Sequence, residues 1–104
     1  MNEPLPQNVV RKLKSQAQKL DPMVKVGQAG ITEGFLANLD QALARHELIK
    51  VRFDAFKDEK RTLAKQMAEQ TGSHLVWMVG HVAVFYRQNP DPVQRKISID
   101  KAVP

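Results

Sequence analysis

Cysteine is absent from this chain of 104 residues. Its absence excludes disulfides, thiolate chemistry and zinc sites built on cysteine, and it leads us to expect an intracellular protein. No apolar run approaches the roughly 20 residues that a bilayer-spanning helix needs. The N-terminal residues also lack the basic start and apolar core of a signal peptide. The expected location is therefore the cytoplasm.

Signals of catalysis and of metal binding are scarce. The three histidines, His46, His74 and His81, have neither metal-ligand spacing nor an evident carboxylate partner. No serine lies in a nucleophile elbow of the G-x-S-x-G type. We expect no enzymatic activity, no cofactor and no metal site.

Positive charge is plentiful and unevenly distributed. The formal net charge is +5, with an isoelectric point near 9.8. Most of the excess positive charge lies between residues 11 and 25. This stretch has one carboxylate, Asp21, and five cations: Arg11, Lys12, Lys14, Lys19 and Lys25. Such a concentration indicates an acidic partner, most simply nucleic acid, although an ordinary solvated helix face explains it equally well if the helix stands alone.

Apolar periodicity predicts one α/β (α+β) domain over residues 1–88, followed by a tail over residues 89–104. The predicted order is α-β-α-β-α-β-β, with three helices and four strands in a mixed sheet. Helical crossovers imply parallel pairing, and the last two strands form an antiparallel hairpin at Gly80-His81. The predicted helices cover residues 8–20, 32–45 and 58–71, and the predicted strands cover residues 23–26, 48–53, 74–79 and 82–87.

Residue type and spacing also predict helix ends, helix caps and the faces on which individual side chains lie. Gly72 is expected to end the third helix, and strict alternation places Trp77 on one face with Leu75 and Val79. On the first helix, Arg11 and Lys14 are expected opposite the buried stripe, with Lys12 and Lys19 along one edge. The predicted N-caps of the three helices are Asn8, Thr32 and Asp58.

A glycine-bracketed turn, Gly27-Gln28-Ala29-Gly30, separates the first strand from the second helix. Glycine allows close approach of a polyanion, and a helix start favours negative charge. The turn therefore suits a phosphate backbone. An isolated G-x-x-G is more often only a tight strand-to-helix connection, and it is the surrounding positive charge that favours the functional interpretation.

Aromatic and basic residues on strands leave further alternatives open. Five aromatic residues raise the possibility of base stacking on an open sheet face: Phe53, Phe56, Trp77, Phe85 and Tyr86. Core packing is the usual fate of aromatics inside strands, and Tyr86 beside Arg87 is the best candidate for stacking on a base. Lys50 and Arg52 either extend the basic surface or merely solubilise an open sheet face.

Four separated motifs stand out along the chain: Gly27-Gln28-Ala29-Gly30-Ile31-Thr32-Glu33-Gly34, His46-Glu47-Leu48-Ile49-Lys50-Val51, Thr71-Gly72 with Val79-Gly80, and Phe85-Tyr86-Arg87. In this order and spacing they resemble the CRM domain, and most closely its stand-alone bacterial, YhbY-like form. The resemblance covers about residues 5–88.

The resemblance implies a fold similar to the C-terminal domain of bacterial translation initiation factor three, and a GxxG loop that clamps RNA as in KH domains. It also implies association with precursors of the large ribosomal subunit, as in bacterial members, whereas plant members act in group II intron splicing. Gly27, Gln28, Ala29 and Gly30 would then contact RNA beside the basic first helix. Gln28 departs from the family, which often has a basic residue there, and Trp77 replaces an expected polar residue.

We therefore expect an RNA-binding protein that recognises large-subunit ribosomal RNA during ribosome assembly. A general DNA or RNA binder that uses the same patch is the second hypothesis. A protein-interaction adaptor whose basic helix docks on an acidic partner is the third.

Overall fold

The computed structural model describes residues 4–95, and the predicted element order is confirmed within them. Three helices and four strands alternate as the periodicity indicates. Short 3-10 turns occupy Lys57–Glu59 and Pro92–Gln94. The elements are α1 (Gln7–Ala17), β1 (Val24–Val26), α2 (Glu33–His46), β2 (Leu48–Phe53), α3 (Lys60–Thr71), β3 (His74–Val79) and β4 (Val82–Tyr86).

The four strands form one mixed sheet in the order β1-β2-β4-β3. β1 and β2 run parallel, with Lys25 opposite Arg52. β4 pairs antiparallel with both β2 and β3, and β3 and β4 form the predicted hairpin at Gly80-His81. Because β1 and β2 point the same way, the loops that follow them leave from the same edge of the sheet.

Helices cover both faces of the sheet, so alternate strand residues enter two separate cores. α2 and α3 pack on one face, around Leu39, Leu43, Met67 and the strand residues Val24, Val26, Ile49, Val51, Phe53, Ala83 and Phe85. α1 packs on the other face, where Val9, Leu13 and Ala17 meet Leu48, Val84 and Tyr86. Among residues 4–95, α1, the basic helix, is therefore the only helix that packs on this face of the sheet.

A bulge in β3 overturns the predicted alternation around Trp77. The pairing register shifts between Leu75, opposite Phe85, and Trp77, opposite Val84. The extra residue turns Trp77 to the α1 face, whereas Leu75 packs on the α2–α3 core. The prediction that these two side chains share a face was wrong, since period two holds only while pairing is regular.

The predicted caps had mixed outcomes. Thr32 caps α2 as expected, because its Oγ1 accepts a hydrogen bond from the Phe35 backbone N–H at 3.0 Å. Pro6, not Asn8, occupies the N-cap of α1. Glu59, not Asp58, precedes α3, because residues 57–59 form a 3-10 turn that delays the helix. Gly72 ends α3 with φ of 64°, as predicted.

α1 is shorter than predicted. It ends at Ala17, and Leu20 donates its backbone N–H to the Ala17 carbonyl at 3.0 Å in a tighter turn. Leu20 still packs against the α1 core, which explains why its spacing continued the apolar stripe.

The segment after β4 is tied to the domain by side chains. Arg87 donates through Nη1 to Asp40 Oδ1 at 2.6 Å and to the Thr71 carbonyl at 2.8 Å, joining α2 to the end of α3. The buried Glu47 accepts the Asn89 backbone N–H at 2.6 Å through Oε2. Residues 89–95 of the predicted tail thus begin against α2, while residues 96–104 lie outside the described part of the chain. None of the helices found between residues 4 and 95 has the length and apolar character required to cross a bilayer.

Candidate nucleic-acid interface

The GxxG turn lies on the surface, between the end of β1 and the start of α2. Gly27, Gln28 and Ala29 are exposed and Gly30 is half-buried. The turn is closed by a hydrogen bond of 3.0 Å from the Gly30 N–H to the Gly27 carbonyl. With Thr32 capping the helix that follows, an anion at this turn would meet the positive end of the α2 dipole.

The two glycines of the turn have different structural roles. A Cβ added at Gly27 would meet no atom within 4 Å. Gly30 has φ of 74°, and a Cβ there would lie 3.4 Å from Cε2 of Phe56. Gly27 therefore leaves outward space for a ligand, whereas Gly30 is also needed by the backbone.

Replacing Gly30 with alanine is expected to lower the free energy of unfolding by about 1–2 kcal/mol, because a left-handed backbone disfavours any Cβ. The matched change Gly27→Ala should alter it by no more than about 0.5 kcal/mol. Urea unfolding followed by far-UV circular dichroism measures both. Equal losses in the two variants would contradict the different roles assigned to these glycines.

The predicted cations of α1 are only partly arranged as expected. Arg11 and Lys19 are exposed, whereas Lys12 and Lys14 are half-buried. The Lys14 ammonium lies 5.4 Å from the centre of the Trp77 ring, a cation–π contact. The prediction that Lys14 lies opposite the buried stripe was wrong, since one residue after Leu13 is a rotation of only about 100° around the helix.

Basic residues on β1 and β2 extend the charged surface beyond α1. Lys25, Lys50 and Arg52 alternate with the core residues of the α2–α3 face, so they lie on the same side of the sheet as α1. Lys25 and Arg52 are register partners, and both are exposed. Lys50 and Arg52 were expected either to extend the basic surface or to solubilise an open sheet face. Their position on the same side of the sheet as α1 is consistent with the first alternative.

The loop after β2 reaches the GxxG turn and adds further residues to it. The backbone N–H groups of Asp54 and Ala55 both donate to the Val26 carbonyl, at 3.0 and 3.1 Å, directly before Gly27. The Phe56 ring lies against Gly30. We call residues 27–30 together with residues 54–57 the double loop.

Charge in the double loop is concentrated around Asp54. A hydrogen bond of 2.7 Å from Arg52 Nε lowers the pKa of the Asp54 carboxyl. Desolvation opposes this shift, and the charges of Arg52, Lys25 and Lys57 lower the pKa further. Lys25 and Lys57 therefore lie close enough to act on the same carboxylate. Of these cations only Lys57 belongs to the double loop itself; Lys25 and Arg52 lie beside it, and Arg52 pairs with Asp54.

Lys57 was not identified as a site residue from the sequence. Phe56 was considered for base stacking only as one of five aromatic residues, for which core packing was favoured. Parallel pairing of β1 with β2 would have indicated both residues, because the two strands then end at the same edge of the sheet. The residues after Phe53 must in that case lie close to those after Val26. The sequence did not say which strands pair.

The strand aromatics mostly serve the cores. Phe53 and Phe85 are buried, as core packing predicts. Tyr86 is 1% exposed, and its ring stacks on that of His74 with the two ring centres 6.4 Å apart. Because a buried ring is not accessible to a nucleobase, the prediction that Tyr86 stacks on a base was wrong. Its strand position faces α1, which covers it.

The histidines do not converge on a common site. His74 stacks on Tyr86, and burial lowers its pKa, while His81 Nδ1 lies 3.2 Å from Lys60 Nζ at the hairpin. Among residues 4–95, no group of three or more His, Asp or Glu side chains is arranged to hold a metal ion.

Comparison with known proteins gives concordant matches over most of the chain. A Pseudomonas aeruginosa protein named "Probable RNA-binding protein PA4753" is 39% identical over 98 residues, which cover 93% of this chain and 94% of that protein. A Haemophilus influenzae protein named "RNA-binding protein" is 38% identical over 80 residues, covering 76% and 81% of the two chains.

The fold is also similar to a solved structure. The solution structure of the Staphylococcus aureus protein SAV1595 superimposes with a TM-score of 0.74 and 32% sequence identity, covering 91% of this chain and all of that one. The model of the CRS1/YhbY (CRM) domain matches residues 5–87, which include all four motifs that carried the resemblance. The chain therefore belongs to the CRS1/YhbY (CRM) domain family.

Proposed function

We propose that this protein binds RNA without catalysing a reaction, and that the GxxG turn holds the sugar-phosphate backbone. The observation that carries the proposal is the exposed turn at a capped helix start, joined to a second loop that supplies Lys57 and flanked by Lys25 on β1. The family and the names of the relatives from Pseudomonas and Haemophilus support RNA as the ligand.

Each predicted site residue has a role in this proposal. Gly27 and Gly30 allow close approach, and the backbone N–H groups of the turn, with the Gln28 amide beside Ala29, contact phosphate. Because Gln28 carries no charge, electrostatic attraction falls to its neighbours. Those neighbours are Arg11, Lys12, Lys14, Lys19 and Lys25, to which the structure adds Arg52 and Lys57.

We further propose that the RNA is ribosomal RNA of large-subunit precursors, bound during ribosome assembly in the cytoplasm. This follows from the resemblance to bacterial CRM proteins and is consistent with the net positive charge of the chain. Residues 1–88 would form the binding domain, with residues 89–104 as an extension of unassigned role.

Crosslinking in cells, followed by sequencing of the bound RNA, tests the partner and the loop together. The wild-type library is expected to be dominated by large-subunit ribosomal RNA. A variant with Gln28→Glu and Ala29→Glu should recover about thirtyfold less of it, because two carboxylates in the exposed turn would repel phosphate by roughly 1 kcal/mol each in water. The matched control carries Gln41→Glu and Gln66→Glu on exposed positions of α2 and α3.

The outcomes separate the two parts of the proposal. A wild-type library dominated by messenger or transfer RNA would contradict the ribosomal assignment. Equal recovery from the turn variant and the α2–α3 control would contradict the role of the GxxG turn. Complete displacement of RNA by duplex DNA in a competition assay would favour a general nucleic-acid binder, because only RNA offers the 2′-hydroxyl and A-form geometry.

A further inference from the structure

Phe56 is an aromatic residue held in an unusual backbone conformation at the surface. Its φ and ψ are 57° and 38°, in the left-handed region that bulky L-residues rarely adopt. Its side chain is 41% exposed, and it belongs to neither hydrophobic core. Burial in a core therefore does not explain this conformation.

The neighbouring backbone fixes where the ring lies. The two hydrogen bonds from Asp54 and Ala55 to Val26 hold the loop against the end of β1, and the Glu59 N–H donates to the Phe56 carbonyl at 3.1 Å. One edge of the ring then lies against Gly30, where glycine leaves room for it. The ring is placed beside the turn proposed to hold phosphate.

The surroundings of the ring favour a nucleotide over an apolar protein surface. Lys57 follows it directly, and Lys25 and Arg52 act on the neighbouring Asp54 carboxylate. The stretch around the ring also carries three carboxylates, one of which, Asp54, is paired with Arg52. An exposed ring beside a glycine turn, with Lys57 and Lys25 close by, offers the two features with which proteins hold single-stranded RNA: cations for the backbone and an aromatic face for the base.

We propose that Phe56 is a stacking platform for an unpaired nucleobase, one nucleotide along the strand whose phosphate the GxxG turn holds. This inference rests on the proposed function and adds a base-binding residue to it. Stacking on one ring is tolerant of sequence, so the expected ligand is an unpaired segment of RNA rather than a particular base. The bases available to Phe56 would be those of loops or bulges.

The test compares a base-bearing probe with a baseless one. We expect the wild-type protein to bind an oligouridylate at least about fivefold more tightly than an abasic ribose-phosphate chain of the same length, because stacking on an aromatic side chain contributes to binding of each base. Phe56→Leu should bind both probes with the wild-type affinity for the abasic chain. The apolar control Val79→Ala, at an exposed strand end, should keep the preference.

Two further variants protect the test against misfolding and give a direct signal. Phe56→Gly suits the left-handed backbone, so its unfolding midpoint should be no lower than that of Phe56→Leu, and it should lose the same preference. In a Trp77→Phe background, Phe56→Trp carries the only tryptophan. Its emission should be quenched by oligouridylate and not by the abasic chain.

The failures are distinguishable. If the wild-type protein binds neither probe, the proposed function and the stacking platform are both overturned. If it binds both probes equally, or if Phe56→Leu and Phe56→Gly keep the preference, only the stacking platform is overturned. Tryptophan emission that is unchanged at saturating oligouridylate has the same consequence.

Discussion

Reversing the charge of Arg11, Lys19 and Lys25 to glutamate is expected to weaken RNA binding by about a hundredfold. Each ion pair with phosphate contributes roughly 1 kcal/mol in water, so the loss of three amounts to about 3 kcal/mol. These residues are exposed: Arg11 lies on α1, Lys19 in the turn that follows α1, and Lys25 on β1. α1 and the Lys25 side chain lie on the same side of the sheet. Lys14 is left unchanged because its ammonium contacts Trp77.

The matched control reverses three exposed cations on the other side of the molecule: Arg45, Arg61 and Lys65. They belong to α2 and α3, which cover the opposite face of the sheet. Both triple variants carry the same net charge, so a nonspecific effect of charge would weaken them equally. Fluorescence anisotropy with a labelled ribosomal RNA fragment gives the dissociation constants, and thermal unfolding checks that both variants fold. Equal losses would show that the α1–β1 side is not the binding surface.

Salt should weaken binding by the wild-type protein about a hundredfold between roughly 50 and 200 mM. The estimate takes about five neutralised phosphates, each contributing a slope near −0.7 for single-stranded RNA in a plot of log affinity against log salt. Anisotropy titrations at four or more salt concentrations would measure the slope. An affinity that stays flat over this range would remove the electrostatic mechanism.

The triple variant on α1 and β1 provides the internal control for the salt experiment. If Arg11, Lys19 and Lys25 each contact one phosphate, the variant loses three contacts. Its slope of log affinity against log salt should then be less steep than that of the wild type by about two. The α2–α3 variant should keep the wild-type slope. A weaker affinity with an unchanged slope would mean that the variant lost shape or stability rather than phosphate contacts.

The fold was largely predictable because its elements are specified by local sequence. The apolar spacing of Val9, Leu13 and Ala17 specified a helix, and Thr32 and Gly72 marked helix ends through side-chain and backbone geometry that depends on a few neighbouring residues. The predicted element order and the fold class were confirmed. Asn8 and Asp58 failed as caps because the helices begin one or two positions away from the predicted starts: Asn8 lies inside α1, and Asp58 lies in the 3-10 turn before α3.

The sequence also determined that cations cluster before a glycine turn, since both are matters of residue order. Only the tertiary structure decided which residues share a surface with that turn. Pairing of β1 with β2 brings Phe56 to Gly30, and a one-residue bulge sends Trp77 under Lys14. Strand pairing and helix packing join residues far apart in the chain, so local periodicity carries no information about them. Tyr86 is a further example. Strand alternation predicted that it points away from Phe85, but only the packing of α1 on that side of the sheet shows that its side chain is buried.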